Sequence, residues 1–407
     1  MSAREEVLQN VLEITNNNIL LEFSTGVGKS RCAIEKIKQF LPDTILIVIP
    51  RLVLIQNWED EFVKWGCTDY LSKVEFVTYV SLPKKANNKY DMIIFDEAHH
   101  LSERCLLALH YIKSNYNILL SATIKHTLEP VLKDIFPNLY IYKISLNKAI
   151  EDEILPEPRI ILIPLNLETT QVTEILSINP KRKIIKEINY EQWIKGKWKY
   201  LKGRYNFGVK VHCTQAQKNK ELNDYIESCS NKIRNRLVYG IQKSIIEQVR
   251  KNKGLERLQW LAEIKSDFVK QLLLQLKNYR TLTFCYNTKQ ADYLCKNSIH
   301  SKNSKSLENL NKFNNNKIKH ISAIDCLTEG INLAECKILI FAKLDVSTIK
   351  QYQKIGRGLR YKKPTIILPY YKNSKEEQIV LEMTKDYDSS LITIATKPFN
   401  FNAYINR

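Results

Sequence analysis

No stretch of this chain approaches the roughly 18 consecutive apolar residues that a membrane-spanning helix needs. Its opening residues, MSAREEVLQN, lack the apolar block of a secretory leader. A soluble, intracellular protein of the cytoplasmic type is expected. Cysteine pairing is missing too: the nine cysteines, at 32, 67, 105, 213, 229, 285, 295, 326 and 336, are odd in number, scattered and never spaced C-x-x-C. This excludes a disulfide framework or a zinc cluster as the organising device and fits reduced thiols. There is no internal short-period repeat, no long disordered tract and no convincing nuclease motif. Acidic residues are outnumbered, 43 Asp and Glu against 62 Lys and Arg, for a formal net charge of +19. Such a field attracts polyanions, nucleic acid first among them, although a basic balance also serves solubility alone.

The 407 residues exceed one ordinary core, and 44% of them are apolar, which is enough to bury more than one. Between 18 and 145, short apolar runs (NILLEF, TILIVIP, KVEFVTY, YDMIIFDE, YNILLSAT) alternate with helical stretches such as RCAIEKIKQFL and LVLIQNWEDEFVKW. Strands apolar on both faces and separated by helices predict a parallel sheet covered on each side. The rhythm returns from about 275 (TLTFCYN, KHISAID, CKILIFAK, PTIILPYY), with PRIILIPLNL at 158–167 as a further strand of the second sheet. The fold class is therefore α/β with two parallel-sheet domains, 1–148 and 149–407. Residues 170–275, with apolar residues three and four apart, form a largely helical insertion in the second domain.

One loop stands out. LLEFSTGVGKSR, residues 20–31, places Gly26, Val27, Gly28, Lys29 and Ser30 between a strand and a helix, as a phosphate-binding loop requires, but has Phe23 where the usual first glycine belongs. A side chain turned into the sheet is tolerable at that entry position, and the two glycines able to aim backbone N–H groups at phosphate are retained. Lys29 would reach the β- and γ-phosphates of a bound nucleotide and Ser30 would hold Mg²⁺. In YDMIIFDEAHH, Asp96 and Glu97 end an apolar strand at the edge where ligands of such sheets bind. Asp96 is placed on the Mg²⁺ and Glu97 on the attacking water. Acids after a strand also cap helices, but beside this loop the catalytic reading is preferred.

Further strings follow in order: VIPRLVLIQNW with Pro50, Arg51 and Gln56; FVTYVSL with Thr78; DEAH at 96–99; SAT with Ser121 and Thr123; TLTFCYNTKQADYL; TEGINL with Thr328, Glu329, Gly330 and Asn332; and QYQKIGRGLR with Gln353, Gly356, Arg357 and Arg360. In this order the strings resemble superfamily 2 helicases and translocases, whose phosphate loop commonly reads from Thr25 to Ser30 without the earlier glycine. The branch it looks most like contains type III restriction motor subunits, excision-repair helicases and phage recombination helicases of the UvsW kind. The resemblance implies two RecA-like domains, ATP and Mg²⁺ as cofactors, and nucleic acid as partner, DNA favoured and RNA possible, with no membrane role. It further implies that Pro50, Arg51, Thr78 and Thr328 line a nucleic-acid track, that Ser121 and Thr123 couple it to the ATP site, and that Gly330 lies at the nucleotide. Gln353, Arg357 and Arg360 are then catalytic, the two arginines sharing a helical face toward the triphosphate. Asn332 stands where the family often has Asp, and Gln9 is the nearest counterpart of its adenine-reading glutamine.

Outside these strings the strongest local feature is residues 181–210, with ten Lys or Arg against two Glu, interleaved with Trp193, Trp198, Tyr200 and Tyr205. Cations that track phosphates beside aromatics that stack on bases would hold single strands or branch points. A solvated insertion whose aromatics merely pack is the alternative. For the chain as a whole, a nucleic-acid-dependent ATPase acting as helicase or translocase is preferred over an ATP-switched annealing factor, over the motor of a restriction-type complex, and over a small-molecule kinase.

Overall fold

The computed structural model describes residues 2–201, 207–324, 335–345, 361–385 and 387–395, with 198–201 described by backbone alone. The first domain is a six-stranded sheet of β1 (Asn18–Phe23), β2 (Ile45–Ile49), β3 (Val74–Thr78), β4 (Lys89–Asp96), β5 (Lys113–Ser121) and β6 (Tyr140–Ile144). Every pairing in it is parallel, in the order β3-β2-β4-β5-β1-β6. Its helices are α1 (Ala3–Glu13), α2 (Lys29–Phe40), α3 (Leu54–Lys64), α4 (Glu103–Leu109), α5 (Glu129–Ile135) and α6 (Leu146–Glu151).

Successive strand residues point to opposite faces, and the buried residues sort accordingly. Ile19, Leu21, Ile45, Ile47, Ile49, Met92 and Ile94 pack with α1, α2 and α3 on one face. Leu20, Leu46, Val48, Ile93, Phe95 and Leu119 pack with α4 and α5 on the other. In α3 the buried residues Leu54, Trp58 and Phe62 repeat every four, the stripe of a helix lying on a sheet.

The second domain repeats the design with β7 (Arg159–Leu165), β11 (Thr281–Phe284), β12 (Ser298–Ile299), β13 (His320–Ala323), β14 (Ile338–Phe341), β15 (Thr365–Tyr371) and β16 (Ile392–Ile394), in the order β12-β13-β11-β14-β15-β7-β16. All of these pairings are parallel as well. The run read at 158–167 thus enters this sheet as β7, next to β15.

Between β7 and β11 lie α7 (Tyr190–Leu201), α8 (Gln215–Arg234), α9 (Gly240–Ile264) and α10 (Ser266–Gln275). They share the insertion with a separate three-stranded sheet, β8 (Glu174–Ile178), β10 (Phe207–Cys213) and β9 (Ile184–Asn189), that the helical spacing does not reveal. Its β10 is antiparallel to β8 and parallel to β9, with α7 as the crossover. Among the described residues no helix is long and apolar enough to cross a membrane.

A buried ion pair fastens the insertion to the second sheet. Lys265, between α9 and α10, and Glu376, in the helix Lys375–Thr384, are both fully buried and lie 2.5 Å apart. Lys265 also donates to the Pro369 carbonyl at 3.0 Å, and Glu376 accepts from the Tyr371 N–H at 3.2 Å. Removing one partner leaves the other charge buried and uncompensated, which costs about 3–5 kcal/mol, whereas an apolar pair of similar volume is close to neutral. Glu376→Leu alone is therefore expected to lower stability by that amount in urea melts, and Lys265→Met with Glu376→Leu to recover most of it.

Candidate functional site

The phosphate loop runs from the end of β1 to the start of α2. Phe23 is fully buried and meets Tyr142 edge-on, ring centres 5.1 Å apart, so the side chain that replaces the usual glycine is spent on the core. After it, Gly26 (φ 97°) and Gly28 (φ 115°) hold left-handed conformations that L side chains rarely adopt, and Gly28 caps α2. Lys29 reaches back across the loop and donates to the Phe23 carbonyl at 2.9 Å. The Thr25 hydroxyl is buried without a hydrogen-bond partner among the described residues. Beyond the loop, Arg31 pairs with both carboxylate oxygens of Glu5, at 2.7 and 3.0 Å, which docks α1 on α2. Gln9 lies exposed on α1.

Two strands away in the sheet, β4 delivers Asp96 and Glu97 to the same edge. Asp96 accepts a hydrogen bond from the Trp58 indole at 3.0 Å, and its carbonyl accepts one from the Tyr79 hydroxyl at 2.7 Å. Withdrawal from water, then the neighbouring Glu97 carboxylate, raise Asp96 to about 6, opposed by the Trp58 hydrogen bond and the charge of Lys29. Burial, then Asp96 and Glu97, push the Tyr79 phenol well above its ordinary range, so it remains a donor. Glu97 has φ 55° and ψ 57°, left-handed for a residue with a side chain. Such a conformation costs on the order of 1–3 kcal/mol and persists where the surroundings impose it.

The central strand β5 carries Ser121 to the gap between these groups. Nδ1 of His99 lies 3.3 Å from a Glu97 carboxylate oxygen and 3.3 Å from the Ser121 hydroxyl, which donates to the Thr123 carbonyl at 3.0 Å. The next N–H, of Ile124, donates to Glu22 on β1 at 2.8 Å. A chain of contacts therefore runs from Glu97 through His99 to the Ser121–Thr123 segment and on to the strand that enters the phosphate loop.

Pro50 and Arg51 follow β2, and Thr78 ends β3, so all three stand on this same edge. Thr78 donates to the Ser81 hydroxyl at 3.3 Å, and Gln56, exposed on α3, donates to Asp60 at 3.1 Å. Thr328, Glu329, Gly330, Asn332, Gln353, Gly356, Arg357 and Arg360 lie outside the described residues.

The insertion requires a correction. Trp193 is 1% exposed and packs under the small sheet against Leu176, Ile188, Val209, Val211 and Cys213. No base can stack on it in this fold, because its ring is covered on the face that would have to be open. Lys197 turns to Glu221 at 2.7 Å. The side chain of Trp198 is outside the described residues. Lys181, Arg182, Lys183, Lys186 and Lys195 remain exposed, so the cations of the segment are available where this aromatic is not. Trp58 and Tyr79 are the site residues that the sequence reading missed. Trp58 occupies a helical stripe position that reads as core, and Tyr79 directly follows Thr78 without a spacing signal of its own.

The ATP and Mg²⁺ expected here fit the residues present. The two left-handed glycines leave room at the loop, with nothing within 4 Å of a Cβ built on Gly28. The buried Thr25 hydroxyl, the Lys29 ammonium and the oxygen donors Ser30 and Asp96 suit a phosphate chain and a hard cation.

Comparison with known proteins agrees with this arrangement. Residues 1–126 match the family model of the type III restriction enzyme, res subunit, and residues 264–362 match the helicase conserved C-terminal domain. A DNA 3'-5' translocase XPB2 from Sulfurisphaera tokodaii is 33% identical over 131 residues, 28% of this chain and 30% of that protein. The match thus spans less than a third of the relative's length. In fold, the chain is similar to Saccharomyces cerevisiae Dbp5 bound to RNA and ADP BeF3 (TM-score 0.59, 12% identity, 99% of this chain and 91% of that one). It is also similar to the helicase domain of Pyrococcus furiosus Hef (TM-score 0.50, 15% identity, 93% and 97%).

Because Trp193 fills the core of the small sheet, Trp193→Ala should cost about 3–5 kcal/mol in a denaturant melt that reports on the insertion. An exposed tryptophan would lose less than about 0.5 kcal/mol in the same experiment.

Proposed function

We propose that this chain carries the two motor domains of a superfamily 2 helicase or translocase and that it hydrolyses ATP in response to nucleic acid, with DNA as its track. The observation that carries this reading is the convergence of Lys29, Asp96, Glu97 and Ser121 on one edge of a parallel sheet that also presents Pro50, Arg51 and Thr78. A phosphate site and a strand-binding rim on one edge are the two parts that a motor must couple.

The backbone amides of the Gly26–Ser30 loop and the start of α2 receive the phosphates, with the positive end of the helix dipole behind them. Lys29 exchanges the Phe23 carbonyl for a phosphate oxygen, a stronger partner because it is charged. Ser30 and Asp96 would hold Mg²⁺, which would neutralise phosphate charge. Glu97, set by its left-handed backbone and its contact with His99, orients the attacking water and takes its proton. Arg357 and Arg360, from the second domain, stabilise the transferred phosphoryl group only when the domains close. That difference in contact ties closure to ATP and opening to its loss. Gln353 and Gly330 are assigned to nucleotide binding and turnover, and Thr328 to the strand contact, by the family resemblance of their motifs.

The track residues act on the sugar-phosphate backbone, so binding is largely blind to sequence and sensitive to salt. The exposed cations of 181–195 would supply further phosphate contacts in this reading. The match to a type III restriction res-subunit model favours the motor of a restriction-type complex as the second form of the same activity.

Lys29→Ala and Glu97→Gln should each reduce DNA-stimulated ATP turnover by about a hundredfold or more, with fork and single-strand affinity within about twofold of wild type. Measured across single-stranded, duplex and forked DNA and single-stranded RNA, wild-type turnover should rise most with DNA. Turnover indifferent to every nucleic acid would instead support a small-molecule transferase.

A further inference from the structure

We propose that the Trp58 indole and the Tyr79 hydroxyl are positioning groups that fix the metal-binding carboxylate Asp96 and transmit occupancy of the nucleic-acid track to it; this rests on the functional reading above. Both groups approach the same residue from different elements. Trp58, 3% exposed, reaches the Asp96 carboxylate at 3.0 Å from α3, the helix that begins just after Pro50 and Arg51. Tyr79, 6% exposed, reaches the Asp96 carbonyl at 2.7 Å from the residue next to Thr78. Each segment read as a strand contact therefore ends in a buried hydrogen bond to one aspartate.

The geometry makes these bonds informative. The indole N–H has one direction and no acceptor capacity, so it fixes the rotation of the carboxylate about its last bond. The Tyr79 bond holds the backbone of the same residue, just before the left-handed Glu97, and so sets the height of Asp96 at the sheet edge. Tyr79 is itself tied to β2, donating its N–H to the Ile49 carbonyl at 3.3 Å. Leu52 and Val53, at the start of the α3 segment, are 63% and 60% exposed, so the lever has a solvent-facing end beside Arg51 and a buried end at Asp96. A strand pressing on 50–53 and on Thr78 shifts the two donors together. Donors in the layer behind a metal ligand control its orientation, and removing one typically lowers metal affinity by about 10–100-fold.

The test uses the full chain, a fluorescent ADP analogue titrated with MgCl2 or held in EDTA, and a single-stranded DNA oligonucleotide. The variants are Trp58→Phe, Tyr79→Phe and the pair. Trp65→Phe is the control: it removes an indole N–H from the C-terminal end of the same helix, where the partner is Glu61 rather than Asp96. Trp58→Phe should raise the Mg²⁺ concentration that half-saturates analogue binding by about tenfold, and Tyr79→Phe by about threefold, with binding in EDTA unchanged. In wild type and in Trp65→Phe, DNA should lower the half-saturating Mg²⁺, and by reciprocity Mg²⁺-nucleotide should tighten DNA binding by the same factor. In the double variant this linkage should vanish while DNA binding without nucleotide persists. Half-saturating Mg²⁺ within twofold of wild type in both single variants, or an intact linkage in the double variant, overturns the proposal. Should Trp58→Phe fold poorly, Tyr79→Phe, which loses a single oxygen atom, decides alone. If wild type shows no Mg²⁺-dependent nucleotide binding at all, it is the functional reading that fails.

Discussion

Strand order is the constraint on which the site depends. Because β5 lies between β4 and β1 and all three run parallel, the residues that end them, Asp96, Ser121 and Phe23, emerge side by side on one edge. Parallel strands cannot be joined by tight turns, so each is followed by a crossover that begins at this edge, and the loops that carry chemistry collect there. The phosphate loop, the acidic pair and the serine bridge are successive exits from one sheet. Placing β2 and β3 beyond β4 puts Pro50, Arg51 and Thr78 on the same rim, and the adjoining Trp58 and Tyr79 tie that rim to Asp96.

The energetics divide between core and rim. Strand residues such as the five of β2 are wholly buried, and each large aliphatic side chain so enclosed contributes roughly 1.5–3 kcal/mol. That reserve supports costly features at the edge: a left-handed Glu97 and a carboxylate raised by burial. These features share a cause: the edge is held by the well-packed strands behind it.

Much of this was legible in the sequence. Apolar runs of strand length separated by helical spacing give the parallel sheets, and the loop from Thr25 to Ser30 announces its conformation because Gly26 and Gly28 are the residues that left-handed backbone favours. Phe23 was understandable once its position at the strand end was considered, and the structure shows it in the core. The insertion was less legible. Its β10 strand, FGVKVHC, alternates in the manner of a strand, but it lies among long amphipathic helices whose periodicity dominates the region. Trp193 misled because a tryptophan among lysines looks the same whether it faces a base or closes a small core, and only the tertiary contacts distinguish these. Trp58 escaped for the converse reason: its helical position marked it as core, and a buried indole shows its polar function only through the partner of its N–H.

The central claim is that the Gly26–Ser30 loop and Asp96 together form the seat of a magnesium-bound triphosphate. A structure of the full chain with Mg²⁺ and a non-hydrolysable ATP analogue tests it most directly. The account predicts that Lys29 leaves the Phe23 carbonyl for the terminal phosphates and that Asp96 faces the metal while keeping the Trp58 indole. A nucleotide bound elsewhere, with Lys29 still on the Phe23 carbonyl, would contradict it.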